Sequence, residues 1–246
     1  MPTPLRERMR LVREEAIVDV VNRLLADKGY EFMTVDEVAA EVGMAKASLY
    51  THFASKEALA AAAMVRTLER GLAAMDEIEH GPELPAIERL HEMLRWTMRT
   101  LYDGQMPSLP AQNSALRAVL MADKAYMNLV LRLSDRLGAW ITEAQRDGTL
   151  SRSLPPEVVL FTLFARACDP VLPVLKATGQ YSAEQIYEWL LETCFSGLSG
   201  APGRAGNPAS RSGAVNAPKS IKQGTRASAV RAVAPARRKT ALTTAG

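Results

Sequence analysis

Residues 34–59 read Thr34-Val-Asp-Glu-Val-Ala-Ala-Glu-Val-Gly-Met-Ala-Lys-Ala-Ser-Leu-Tyr-Thr-His-Phe-Ala-Ser-Lys-Glu-Ala-Leu59. Thr34 and Glu37 have the spacing of a capping box, in which the hydroxyl accepts the amide of residue 37 and the carboxylate reaches back to the amide of residue 34. A helix is predicted from Val35 to about Val42. Gly43 ends it, because glycine enters a left-handed turn without steric cost. A second short helix is predicted from Lys46 to His52. Val35, Val38, Val42, Leu49 and Phe53 can share one core, with Leu49 and Phe53 a turn apart on one face, and Ala39 is small enough to let the helices cross closely. Lys46, Ala47, Tyr50 and Thr51 then face outward, with Ser48 and His52 at the edge. Short or flexible polar side chains on an exposed helix suit the reading of base edges in a major groove. The segment is a helix-turn-helix candidate, although a helical hairpin without a DNA role has the same spacing.

Working outward, helical patterns continue in both directions. From Arg8 to Lys28, Leu11, Val12, Ile17, Val20, Val21, Leu24 and Leu25 form a 3.6-residue stripe that stops at Gly29. Ser55 is placed to cap a long helix reaching Gly81. An amphipathic stretch follows from Pro85 to Tyr102, then a loop over 103–111. Helices are predicted over about 112–121 and 124–147, with a break at Gly148. Pro155-Pro156 opens an apolar helix that Asp169-Pro170 and Pro173 must kink or restart. Ser182 and Gln185 form a second capping box, starting a last helix to about Leu198. Strand alternation is absent, so the fold class is all-α.

The chain has 246 residues, 48% hydrophobic and 23% charged, enough to bury a core without staples. Cys168 and Cys194 show no C-x-x-C pattern, and His52, His80 and His91 have no metal-ligand spacing, so neither a disulfide framework nor a metal site organises the chain. No cofactor motif, phosphate loop or nucleophile–base set stands out, which argues against an enzyme. Unbroken apolar runs fall short of the roughly 18 residues of a membrane helix, and the start lacks a signal peptide. A cytoplasmic location is expected. The net charge of +3 is divided unevenly. Residues 201–246 hold nine basic side chains and no acidic one, whereas residues 1–200 hold 21 basic and 27 acidic. That tail, rich in Ala, Gly, Pro and Ser, is expected to be disordered. It suits either solubility or sequence-independent attraction to a polyanion.

The string at 34–59 resembles the DNA-binding signature of the TetR family of bacterial transcriptional regulators, T-x-x-x-I-A-x-x-x-G-x-S-x-x-x-L-Y-x-H-F-x-x-K-x-x-L. It departs at Val38, where isoleucine is usual, and at Ala45, where a serine commonly caps the second helix. The resemblance implies a helix-turn-helix DNA-binding domain over 1–55, a helical ligand-binding and dimerisation domain over 56–200, and the basic tail over 201–246. Carried onto this sequence, it implies that Thr34 meets a phosphate at a helix N-terminus. Lys46, Ala47 and Ser48 face base edges, while Tyr50, His52 and Lys56 hold phosphates. Packing remains an alternative for Tyr50 and a structural hinge for His52. Residues 1–60 carry 8 basic and 10 acidic side chains, so affinity must come from local placement.

The same resemblance implies a homodimer formed by the last two helices, about 156–177 and 183–198, reading a palindromic operator in double-stranded DNA. It also implies a small-molecule effector among the middle helices. Met93, Trp96, Met98, Tyr102, Met106, Met121, Met127 and Trp140 form a Met and aromatic set there, with Trp96, Tyr102 and Met127 as the ligand-binding candidates. The implied function is that of a repressor released from its operator by a small apolar or aromatic ligand. An architectural DNA-binding protein, with the tail supplying most of the affinity, is the alternative.

Overall fold

The computed structural model describes residues 5–109 and 114–196, and the description below concerns those. The expected tail over 201–246, residues 110–113 of the loop region, and the end of the last helix beyond Ser196 lie outside them. Among the described residues there are ten α-helices and no strand. They are α1 (Leu5–Phe32), α2 (Val35–Val42), α3 (Lys46–Tyr50), α4 (Lys56–His80), α5 (Ala86–Tyr102), α6 (Ala115–Ala122), α7 (Lys124–Arg146), α8 (Pro156–Ala165), α9 (Val171–Thr178) and α10 (Ala183–Ser196).

The local signals act as their chemistry requires. In α2 both halves of the capping box form: the Glu37 amide donates to Thr34 Oγ1 at 3.2 Å, and the Thr34 amide donates to Glu37 Oε2 at 3.0 Å. Gly43 closes α2 at φ 73°. Ser55 Oγ caps α4 through the Ala58 amide, and Ser182 and Gln185 cap α10 reciprocally. Ala45 stands at the start of α3 with no side-chain cap bond, as its methyl dictates.

Two boundaries and one buried stripe differ from the sequence expectation. Gly29, at φ 75°, does break α1, but the chain resumes a helical turn as far as Phe32. Leu11 and Val12, read as part of the buried stripe, are exposed. The N-terminal turns of α1 face the α2–α3 turn across an open groove, with Val12 opposite Val42, Gly43 and Met44, and burial begins only at Ile17. Helix α3 ends at Tyr50, because the Thr51 hydroxyl turns back onto the Ser48 carbonyl at 2.6 Å and closes a turn there.

Two hydrophobic cores organise the described residues, and α4 belongs to both. Its first half, Leu59 to Met64, packs with Ile17, Val21, Leu25, Val38 and Leu49, joined by Leu116 and Leu120 of α6. Its second half, Leu72 to Met75, packs with α5, α7, α8 and α10 around Met98, Ile141, Val159 and Ile186. Because a helix is stiff over such a length, any shift of its second half moves its first.

Residues 156–178 are long and apolar enough to qualify as a membrane span by length and composition, although Glu157, Arg166 and Asp169 interrupt the apolar run. Their path argues against it. A 3-10 turn over Arg166–Cys168 and the Asp169-Pro170 step divide it into α8 and α9, of ten and eight residues, against the ~20 needed to cross a bilayer. The buried Asp169 carboxylate accepts from the Arg166 guanidinium and from the Val171 amide.

Lys28, near the end of α1, donates to the Glu37 carboxylate at 2.7 Å. That bond, and after it those from Thr34, lower the Glu37 pKa to about 2 from an ordinary 4.5. A carboxylate whose pKa is depressed by folding stabilises above its unfolded pKa and ceases to do so as pH falls through the folded one. Thermal melts should therefore show a Glu37 contribution that declines between pH 4.5 and about pH 2. Glu37→Gln, which retains the cap but not the charge, should flatten that part of the curve. An unchanged slope would remove the Lys28–Glu37 pair as a contributor.

Candidate nucleic-acid interface and apolar cavity

The α2–turn–α3 hairpin is anchored from beneath by Leu49, which is fully buried, with Val35, Val38 and Ala39 around it. Lys46, Ala47, Ser48, Tyr50 and Thr51 are all exposed on the other side of α3. Thr34 is exposed at the head of α2. Side chains on a helix held by a buried anchor present a fixed pattern to a groove, which a loop cannot.

The cationic candidates already have intramolecular partners. Lys46 Nζ lies 2.9 Å from Asp36 Oδ2, an exposed ion pair whose intrinsic worth is about 0–1 kcal/mol. A nucleic acid can therefore displace Asp36 at little cost. His52 is half-buried, its Nδ1 3.2 Å from Glu14 Oε1, and Glu14 also pairs with Arg10. Lys56 lies 4.3 Å over the Tyr30 ring and donates to the Glu31 carbonyl at 3.5 Å. Tyr30 in turn donates to Glu57 at 2.6 Å, and burial together with that bond pushes the phenol pKa up. The structure brings Thr34, Lys46, Ala47, Ser48 and Tyr50 to an open surface. It gives His52 and Lys56 contacts that also fasten α3 and α4 to α1.

A cavity of about 280 Å³ opens between α4, α5, α7 and the end of α8. Its lining is apolar, with Met93, Trp96, Leu133 and Phe164 as large walls and Thr67, Thr97 and Tyr126 as the hydroxyl-bearing residues among it. No ionisable acid or base of Asp, Glu, Lys, Arg or His type is among the described lining residues. Gly71 keeps α4 thin there: a Cβ would sit 3.7 Å from Met93, Trp96 and Leu133. Of the three ligand candidates, Trp96 lines this cavity. Tyr102 does not; its ring packs edge-on against Tyr187 at 5.8 Å and beneath the Lys176 ammonium at 4.3 Å. Met127 is half-buried beside Tyr126 but outside the lining. Met98 and Trp140 lie in the core, and Met121 is exposed. Met93 and Met106 of the Met and aromatic set line the cavity too, whereas Thr67, Thr97 and the loop residue Pro107 are lining that sequence reasoning missed, since no pattern in a single helix reveals which residues a void will separate.

A hairpin of two short helices with a buried anchor and an outward polar face, ahead of an all-helical body, defines a helix-turn-helix protein. Residues 17–63 match the family model described as bacterial regulatory proteins, tetR family. The uncharacterised HTH-type transcriptional regulator YerO of Bacillus subtilis (strain 168) is 37% identical over 67 residues. That match takes in 27% of this chain and spans only 23% of the length of YerO. The likeness to the tetR family of bacterial regulatory proteins is carried by the N-terminal residues 17–63, and solved structures extend the likeness of fold over most of the chain. The fatty acid degradation regulator FadR of Bacillus halodurans shares the fold at a TM-score of 0.59 and 16% identity, over 76% of this chain and 96% of that one. FadR of Bacillus subtilis, solved in complex with stearoyl-CoA, does so at 0.56 and 19%, over 75% and 98%.

Proposed function

We propose that this chain is a homodimeric, sequence-specific DNA-binding regulator that represses transcription from a palindromic operator and is released by a small apolar or aromatic molecule. The observation that carries the reading is the exposed face of α3, with Lys46, Ala47 and Ser48 outward and Leu49 fixed beneath them. Lysine donates to guanine O6 or N7, serine to several edges, and alanine touches a thymine methyl. Thr34 and Tyr50 supply phosphate contacts, with His52 and Lys56 at the margin, so that the hairpin is held in register. Residues 1–55 read DNA on this view, and residues 56–200 sense the effector and dimerise.

The effector site is the cavity beside Trp96. Its volume lies near the low end of ligand pockets, roughly 300–1,000 Å³, and its uncharged walls favour an apolar or aromatic guest. The acyl chain of stearoyl-CoA, bound by the similarly folded FadR of Bacillus subtilis, is one example of apolar chemistry that such walls suit. Dimerisation uses α8, α9 and α10, where Val158, Phe161, Val171, Val174 and Trp189 are exposed. Exposed apolar groups concentrated on adjoining helices favour burial against a second copy. The protein acts by binding, with ligand and DNA competing through the conformers each prefers.

Selection of bound sequences from random duplex DNA, with the full chain at moderate salt, tests the reading. An enriched palindrome with half-sites about one helical turn apart is expected. No enrichment, with affinity falling equally on all duplexes as salt rises, would replace it by an architectural protein whose nine tail cations supply the binding.

A further inference from the structure

Asn22 is a buried polar residue on the core-facing side of α1, 6% exposed, where an unpartnered amide would be costly. Its Nδ2 donates to the Gln105 carbonyl at 2.7 Å, and its Oδ1 accepts from Thr67 Oγ1 at 3.2 Å. One side chain of α1 thus holds both α4 and the loop that follows α5. The loop is fastened a second time by Ser108, whose Oγ donates to the Leu25 carbonyl at 3.0 Å. Gly29 permits that approach. A Cβ there would lie 3.3 Å from Ser108 Oγ, and the φ of +75° already favours glycine. Arg70 of α4 adds a bond to the Gln105 side chain at 2.5 Å.

The same segments wall the cavity. Thr67 lines it from α4, and Met106 and Pro107 line it from the loop, flanked in sequence by the two residues that bond to α1. We propose that Asn22 and Ser108 are positioning residues through which cavity occupancy reaches the DNA-binding hairpin. A guest that presses Met106 and Pro107 outward pulls the Gln105 carbonyl from Asn22 and Ser108 from Leu25. Helix α1 loses two of its ties and is free to rotate against α4. Because α1 packs Ile17, Val21 and Leu25 against the core that seats Leu49, its rotation re-aims α3. This route is additional to any movement of α4 itself, and it rests on the cavity being the effector site.

The test uses the full chain and N-phenyl-1-naphthylamine, a neutral aromatic probe whose fluorescence rises in apolar surroundings. Hydrogen exchange is followed by mass spectrometry over residues 22–29 and 103–109, with and without saturating probe. In the wild type, probe binding should speed exchange in both segments by about threefold or more, as expected for local opening. Asn22→Asp keeps the acceptor for Thr67 and removes the donor to Gln105. It should bind probe at least as tightly as the wild type, because a tie that the probe must break is already gone, and its probe-dependent change over 22–29 should fall by half or more. Ser108→Ala is the gentler second variant should Asn22→Asp fold poorly, and should halve the change or more. A purely structural role would lower the melting temperature while leaving the probe-dependent change intact, and that result overturns the proposal. Probe fluorescence that rises with no exchange change at 22–29 in the wild type overturns it too, leaving the effector site standing. No rise in fluorescence removes both.

Discussion

Cutting Leu49 back to alanine is expected to cost the folded protein about 2–5 kcal/mol, the range for emptying a fully buried leucine site, and to remove DNA binding with it. Leu49 is completely buried under the exposed face of α3, and the helix it anchors has only five residues and no side-chain cap. Such a helix does not persist alone. Losing the anchor therefore removes the presentation of Lys46, Ala47 and Ser48 together. The contrasting variant is Lys46→Ala. Its partner Asp36 is exposed, so the melting temperature should stay nearly constant, while affinity for the selected sequence falls by about 1–3 kcal/mol, roughly 5- to 150-fold. Thermal denaturation and fluorescence anisotropy on labelled duplex separate the two effects. A Leu49→Ala protein that melts and binds like the wild type would show that α3 is not held from below. A Lys46→Ala protein that binds normally would take Lys46 off the interface.

Placing aspartate at Phe161 should convert the proposed dimer to a monomer. Phe161 is 66% exposed and Val174 65%, on helices whose other faces are packed in the second core. A carboxylate on this face costs the protomer little, because water already reaches the site. In a dimer it would be buried without a partner, which is strongly unfavourable. Sedimentation velocity should show Phe161→Asp and Val174→Asp as well-folded monomers at concentrations where the wild type is dimeric. Because two linked hairpins gain affinity over one by roughly 10²–10⁴-fold, the monomers should lose palindrome binding by a similar factor. Retention of the dimer in both variants would move the interface to another face.

Much of the fold is legible in the sequence because it is written in short-range chemistry. Thr34 with Glu37, Gly43, Ser55 and the Ser182–Gln185 pair each act within four residues of chain, and each forms the cap its spacing requires. The outward face of α3 follows from the same locality, since a buried Leu49 fixes where positions 46, 47 and 48 point. Legibility ends where a side chain's fate depends on a distant helix. Leu11 and Val12 continue the apolar stripe of α1 yet are exposed, Val12 on a groove left open between α1 and the α2–α3 turn. Tyr102 belongs to the same aromatic set as Trp96, but one packs on Tyr187 and the other faces a void.

Asn22 is the clearest case of the second kind. In the sequence it is one polar residue among many on an amphipathic helix, indistinguishable from a solvent-facing position. Its partners, Gln105 and Thr67, lie 83 and 45 residues away, beyond any spacing rule. By itself the sequence determined the all-α class, the helix starts and stops, and the hairpin with its outward polar face, since all of these arise from bonds within a turn or two of chain. Tertiary structure alone decided that α4 would serve two cores, that a cavity would open beside Trp96, and that the loop walling it would be tied to α1. Those outcomes depend on how ten helices fill space together, a property that no single segment carries.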